Sequence, residues 1–257
     1  MNSFGRSGGG FLSGIPPIVK NLIIINALVF LATQIASFNP SMFRYLALYY
    51  PESPLFMPHQ LFTHMFMHGS FMHLLFNMYA LWIFGAPLER TWGSKKFLFF
   101  YISTGIGAAL IYCLVQWVQM MGFTADDLSQ VKAIVSSSNF VDDVMHYRAQ
   151  GLRPSFPGAA DNWLATMVTP MVGASGAIFG VLLGFGMLFP NIVLQLIFPP
   201  VRLKAKYFVL LYGVFELYLS IQQPGDSVAH VAHVGGMIFG YILIRLWKKK
   251  SINRYRS

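Results

Sequence analysis

Six stretches of this chain are apolar over lengths that suit the hydrocarbon of a bilayer, and this constrains the fold more than any other feature. Crossing roughly 30 Å of hydrocarbon takes about 17–25 helical residues. The runs extend approximately from Val19 to Phe38, Phe71 to Pro87, Phe97 to Met121, Met171 to Phe189, Tyr207 to Gln222 and Ala229 to Trp247. Lipid offers no partner to a backbone N–H or C=O, so each run is expected to be a helix that satisfies its own peptide groups. Composition agrees, with 55% hydrophobic and 11% charged residues, against about 45–50% and 25% in soluble domains. The expected fold is an all-α membrane protein, a six-transmembrane-helix bundle. Residues 1–18 form a cytoplasmic N-terminal segment, 19–247 the membrane domain and 248–257 a basic cytoplasmic tail. External loops fall at about 39–70, 122–170 and 223–228.

Both termini are expected in the cytoplasm. That orientation puts Arg6, Lys20, Arg90, Lys95, Lys96, Arg202, Lys204, Lys206 and the tail from Arg245 to Arg256 inside, leaving only Arg44, Lys132, Arg148 and Arg153 outside. The net charge of +9 therefore reflects membrane topology. Its basic residues flank apolar runs without interleaved aromatics, so a nucleic-acid partner is not expected. The run from Leu22 to Ile35 has basic residues before it, as a signal peptide would, but lacks a small-x-small cleavage site and stays as the first helix. The lack of a targeting presequence points to a bacterial inner membrane. Cys113 is the single cysteine, so no intramolecular disulfide forms.

Two further segments are ambiguous. Pro190 to Pro200 is apolar, short and bracketed by prolines, and reads as an interfacial elbow. The long external connection from Gly122 to Asn162 carries the pairs Asp126–Asp127 and Asp142–Asp143, with periodicity for a short helix or two.

Helices two, four and six all run inward from the outside, which allows their polar residues to be compared by depth. Ser175 and His233 each lie about four residues into their helices, roughly 6 Å below the surface at 1.5 Å per residue. His73 and Asn77, spaced i, i+4, share one face of helix two at a similar level. Groups this polar are expensive against lipid, so they should face one another or a watery cavity. Stripes of small residues, Gly176, Gly180 and Gly184 on helix four and Gly236 and Gly240 on helix six, let the backbones approach. A serine hydroxyl beside an imidazole base suits nucleophilic acyl transfer. Ser175 and His233 would be the pair, with His73, Asn77 and the Ser175 N–H available to a developing oxyanion. No Asp or Glu occupies the outer half of these three helices, so a dyad is expected.

The segments FTHMFMHGSFMHLLFNMYALWIFG (Phe62–Gly85), GASGAIFG (Gly173–Gly180) and AHVGGMIFG (Ala232–Gly240) resemble, in this order, the rhomboid family of intramembrane serine proteases. With the flanking helices the resemblance covers nearly all of Val19 to Trp247. It implies a six-helix core with a short, recessed fourth helix, and cleavage of membrane-anchored proteins in or beside their transmembrane segments. It implies catalytic Ser175 and His233, oxyanion stabilisation by His73 and Asn77, and a place near that pocket for His68. Phe179 stands where some members stack a tyrosine on the catalytic histidine. Where many members carry a Trp-Arg pair in the first external loop, this chain has His59 and Gln60. Helix five or the first loop is expected to gate lateral access of substrate. The partners implied are single-span or multi-span membrane substrates and the bilayer, without a cofactor.

Two other readings compete. A non-catalytic relative would bind membrane helices and control their fate, yet has no physical need for so costly a polar set. A histidine-based metal site could use His64 and His68 at i, i+4 with His73, His230 or His233, but HMFMH lacks the Glu of HExxH and the relevant helices lack carboxylates. No metal is therefore expected. His64 and His59 read as loop or interface groups, His230 as a rim residue and His146 as a solvated loop residue. Met65, Met67 and Met72 read as adaptable packing. Glu216 in helix five is an intramembrane carboxylate in need of a partner, most simply a hydroxyl in a structural hydrogen bond.

Overall fold

The computed structural model describes residues 14–35, 39–121, 129, 133–136, 139–150, 167–196, 200–222 and 227–254. The principal helices are α1 (Pro17–Thr33), α2 (Phe71–Trp92), α3 (Ser94–Met120), α4 (Ser175–Leu188), α5 (Ala205–Gln222) and α6 (Ser227–Arg254). The molecule is an integral membrane protein built mostly of helix. Among the described residues, three helical stretches are long and apolar enough to span a bilayer: Phe71–Trp92, Ser94–Val118 and His230–Lys248. α1 and α4 are apolar but shorter.

α4 is the centre of the packing. Its 14 residues rise only about 21 Å, and every residue from Gly176 to Gly186 except Leu183 is buried. α2, α3, α5 and α6 surround it. A Cβ on Gly236 of α6 would overlap the Gly176 carbonyl oxygen of α4, so the two backbones touch directly. One turn on, a Cβ at Gly240 would lie 3.3 Å from the Cα of Gly180. Gly176 and Gly180 also admit α3, whose Ala108 and Thr104 would stand 2.6 Å from a Cβ at either site.

α2 runs through the expected stop at Pro87. A π-helical turn at Leu81–Gly85 precedes Pro87 and widens the coil just where proline removes an N–H donor, so the helix continues to Trp92. Glu89 in this extension accepts the N–H groups of Ile18 (3.0 Å) and Val19 (2.9 Å) and the Ser94 hydroxyl (2.7 Å). It thereby caps α1 and joins it to the α2–α3 corner.

Other boundaries also shift. The fourth helix begins at Ser175, not Met171, because Met171 pairs with Leu48 in an extended bridge and Gly173 has φ +124°. The sixth helix extends from Ser227 to Arg254, beyond the expected apolar run at both ends. The expected elbow at Pro190–Pro200 contains a strand, β1 (Val193–Gln195), paired antiparallel with β2 (Arg202–Lys204). Pairing satisfies the peptide groups that proline keeps out of a helix. In the long connection between α3 and α4, Phe140–Ala149 is helical and carries Asp142 and Asp143 in its first turn. Asp126, Asp127, Lys132, Arg153 and Arg6 lie outside the described residues.

The connection between α1 and α2 is folded back on itself by Gln60. Its buried carboxamide accepts from the N–H groups of Met57 (3.0 Å) and Tyr49 (3.4 Å) and donates to the carbonyls of Arg44 and Leu55 (2.9 Å each). Thus Gln60, one of the two residues standing where many rhomboids carry a Trp-Arg pair, orders this loop.

Candidate active site

Three segments converge above the start of α4. The first is the extended chain leading into it: Met171 exchanges hydrogen bonds with Leu48 (2.8 and 3.0 Å), and the Gly173 N–H donates to the His64 carbonyl (3.0 Å). These bonds stitch the approach to the first loop. Gly173 then turns at φ +124°, a conformation that favours glycine, and Ser175 becomes the first residue of α4. The Ser175 N–H is thus among those a helix start leaves without an intrahelical acceptor.

The second segment is the start of α2. Ser70 caps the helix by accepting the His73 N–H at 3.1 Å. This fixes His73 in the first turn with its ring over Gly173. A Cβ at Gly173 would be 2.8 Å from His73 Cε1 and Nε2, and 3.6 Å from Ser175 Oγ. The glycine is therefore what lets imidazole and hydroxyl share one small space. Asn77 is buried, and its Nδ2 donates to the His73 carbonyl at 2.9 Å. A carboxamide nitrogen has two hydrogens, so a second donor remains. His68 is also buried and meets the His73 ring edge-on, with centroids 5.0 Å apart.

The third segment is the N-terminal part of α6 with α5 behind it. The His233 ring lies flat on Phe179, one turn below Ser175, at 4.1 Å between centroids and 10° between planes. Such stacking contributes about 0.5–1.5 kcal/mol beyond burial. His233 Nδ1 lies 2.8 Å from Glu216 Oε2, and His230 Nδ1 lies 2.6 Å from the same oxygen. The His233 hydrogen bond is to Glu216; among the described residues none joins its ring to Ser175 Oγ. Catalytic hydrogen bonds of unliganded sites commonly close only when substrate binds.

Several expectations change here. Glu216 is paired with two imidazoles rather than a hydroxyl. His230 lies in the first turn of α6 rather than in a loop, partly buried and facing that carboxylate. His64 lies in the loop between α1 and α2, as one of the two expected alternatives has it, but is 1% exposed, with Nδ1 2.9 Å from the Gln60 carbonyl. Burial pushes its imidazole down to about 4 and that of His68 likewise to about 4. Met65 and Met67 are fully buried in the packing, whereas Met72 is exposed. His59 is exposed and lies 2.6 Å from the Tyr45 carbonyl. His146 is exposed, 2.9 Å from Gln150.

The fold and site together define a class: a helical integral membrane protein that gathers a serine, several imidazoles and a carboxylate between its helices. The chain belongs to the rhomboid family, whose domain matches residues 56–141 and 144–250. It is 26% identical over 181 residues to Rhomboid protease AarA of Providencia stuartii, covering 70% of this chain and 52% of that protein. It is 26% identical over 243 residues to the mitochondrial presenilin-associated rhomboid-like protein of Rattus norvegicus, covering 90% of this chain and 50% of the relative. It is also 26% identical over 192 residues to the mitochondrial Rhomboid protein 1 of Saccharomyces cerevisiae, covering 75% and 42% respectively. The chain thus spans about half the length of the curated relatives it matches.

Proposed function

We propose that this chain is an intramembrane serine endopeptidase that cleaves membrane-anchored proteins in or beside their transmembrane segments. The observation that carries the reading is the convergence of Ser175, the His73 ring over Gly173 and the Phe179-stacked His233 at one end of a buried helix. The name of the Providencia stuartii relative, a rhomboid protease, agrees with it.

In the proposed mechanism, His233 Nε2 takes the Ser175 proton as Oγ attacks the scissile carbonyl carbon. The carbonyl electrons move onto oxygen, where the Ser175 N–H, the second Asn77 hydrogen and His73 provide donors. His68 supports the His73 ring. The proton on Nε2 then passes to the leaving amine as the C–N bond breaks, giving an acyl-enzyme. A water activated by the same nitrogen hydrolyses the ester and frees Ser175. Gly176, Gly180, Gly236 and Gly240 hold α4 and α6 close enough for the proton transfer.

The reading includes six crossings within residues 19–247 and both termini on the cytoplasmic side of a bacterial inner membrane. Lys and Arg flanking the apolar runs support that orientation. Single cysteines placed in a Cys113→Ser background and labelled from either side test it.

The activity is tested with a labelled single-span substrate in proteoliposomes, with and without a chelator. Chelator-resistant cleavage that is lost in Ser175→Ala and in His233→Ala is the expected result. A folded protein that binds such helices and cleaves none of a varied set is instead a non-catalytic relative; chelator-sensitive cleavage assigns the chemistry to a metal.

A further inference from the structure

Glu216 is the one acidic side chain among the described residues to touch the catalytic candidates, and it comes from a helix that carries none of the others. It is 4% exposed. A carboxylate left alone so deep between membrane helices is strongly disfavoured, so its partners account for its presence. Those partners are two ring nitrogens of one kind, the Nδ1 atoms of His233 and His230, both directed at Oε2.

An ionised Glu216 dictates where the ring protons sit. An ionised carboxylate only accepts, so a ring nitrogen bound to it carries the hydrogen. An ionised Oε2, with two lone pairs, accepts from both rings at once. His233 is then the Nδ1–H tautomer, and the Nε2 lone pair remains for the Ser175 proton. Phe179 holds the face of the ring while Glu216 holds its edge. Together they fix the imidazole's tilt and its rotation.

We infer that Glu216 is a positioning residue for His233, so that α5 completes a Ser-His-Glu arrangement around Ser175. The inference rests on the protease reading. When Ser175 Oγ attacks, its proton moves to His233 Nε2; the Nδ1–H stays on the ring and Glu216 stays ionised, facing the new imidazolium. His230 keeps the second lone pair of Oε2 occupied and holds the carboxylate in place.

The same three side chains form a cluster compatible in composition with a metal site. Their spacing favours hydrogen bonding. Donors about 2.0–2.1 Å from a tetrahedral zinc are roughly 3.3 Å apart, whereas both Nδ1 atoms approach Oε2 to 2.8 Å or less.

The test compares the full chain with Glu216→Gln, Glu216→Asp and His230→Asn in proteoliposomes. Glu216→Gln is expected to lower kcat by at least about tenfold with KM and melting temperature unchanged, and to slow fluorophosphonate labelling of Ser175 in step. This is a smaller loss than the ~10⁴-fold for the orienting carboxylate of a Ser-His-Asp triad, because Phe179 still holds the ring. Glu216→Asp should recover part of kcat, and His230→Asn should lose less than Glu216→Gln. In ¹⁵N-histidine NMR the native His233 should show a downfield Nδ1–H proton that vanishes in Glu216→Gln.

A purely structural Glu216 would change melting temperature and KM along with kcat, without recovery by Asp. Native kcat in a folded Glu216→Gln overturns the inference, as does activity lost to a chelator and regained with zinc. If the native chain neither cleaves nor labels, the protease reading fails, and the NMR signal alone then decides the Glu216–His233 bond.

Discussion

Gly173→Ala should uncouple the site from the rest of the fold. Gly173 has φ +124°, and holding a residue with a Cβ in so sparsely populated a region costs about 1–3 kcal/mol. The new Cβ would also stand 2.8 Å from Cε1 and Nε2 of His73. Ordinary contact begins near 3.4 Å, so the imidazole has to retreat by about 0.6 Å or the bridge to Leu48 has to open. Displacements near 1 Å in a reacting constellation lower rates by about 10²-fold; a fall of roughly 10- to 100-fold in cleavage is expected here. Melting in detergent and cleavage in proteoliposomes measure the two effects. Gly69→Ala, in the same external region, is the control: nothing lies within 4 Å of its Cβ position, and it should change stability by less than about 0.5 kcal/mol. Native melting and native cleavage in Gly173→Ala would refute the reasoning.

Other perturbations probe the supports of the site. Gln60→Leu removes a carboxamide with four backbone partners and should destabilise the fold by about 2–4 kcal/mol, seen as a lower denaturation midpoint. Glu89→Ala leaves two α1 N–H groups uncapped; a loss of about 2–3 kcal/mol should appear in the same assay. Acidification should destabilise the protein as pH falls from about 6.5 towards 4, because burial lowers His64 and His68 to about 4 while the unfolded imidazoles take up protons near 6.5. The sign follows from the folded values being the lower ones, so the stability is present above 6.5 and lost below it; His68→Phe should flatten that slope in melts across this range. A cysteine cross-link holding α5 against α2 should reduce cleavage of an embedded substrate but not of a small soluble ester, and undiminished cleavage removes α5 from any gating role.

What the sequence made legible follows from physical range. Apolar length and charge bias identify membrane helices from residues close together in the chain, and small-residue stripes mark helix faces able to touch. Gly236 and Gly176 do so with their backbones. The start of α4 was obscured because Met171 to Ala174 is as apolar as a helix; its extended form depends on Leu48 and His64, more than a hundred residues earlier. The partner of Glu216 was missed for a related reason. Helices two, four and six run in one direction, so their polar residues align directly by depth, whereas α5 runs the other way. Counted back from the C-terminal end of α5, Glu216 is six residues deep, the same as His233 counted from the start of α6. From the apolar runs alone, ending at Gln222 and starting at Ala229, the two depths read as six and four residues. The fourfold bonding of Gln60 was not legible, because its partners are backbone groups of a loop whose path the side chain itself sets.

Activation of Ser175 by His233 is the central claim, and covalent capture addresses it most directly. The full chain in lipid is treated with a fluorophosphonate, digested and examined by mass spectrometry. One adduct per chain on the peptide containing Ser175, lost in His233→Ala although the protein remains folded, is the expected result. No adduct, or equal labelling without His233, would contradict a serine nucleophile activated by this imidazole.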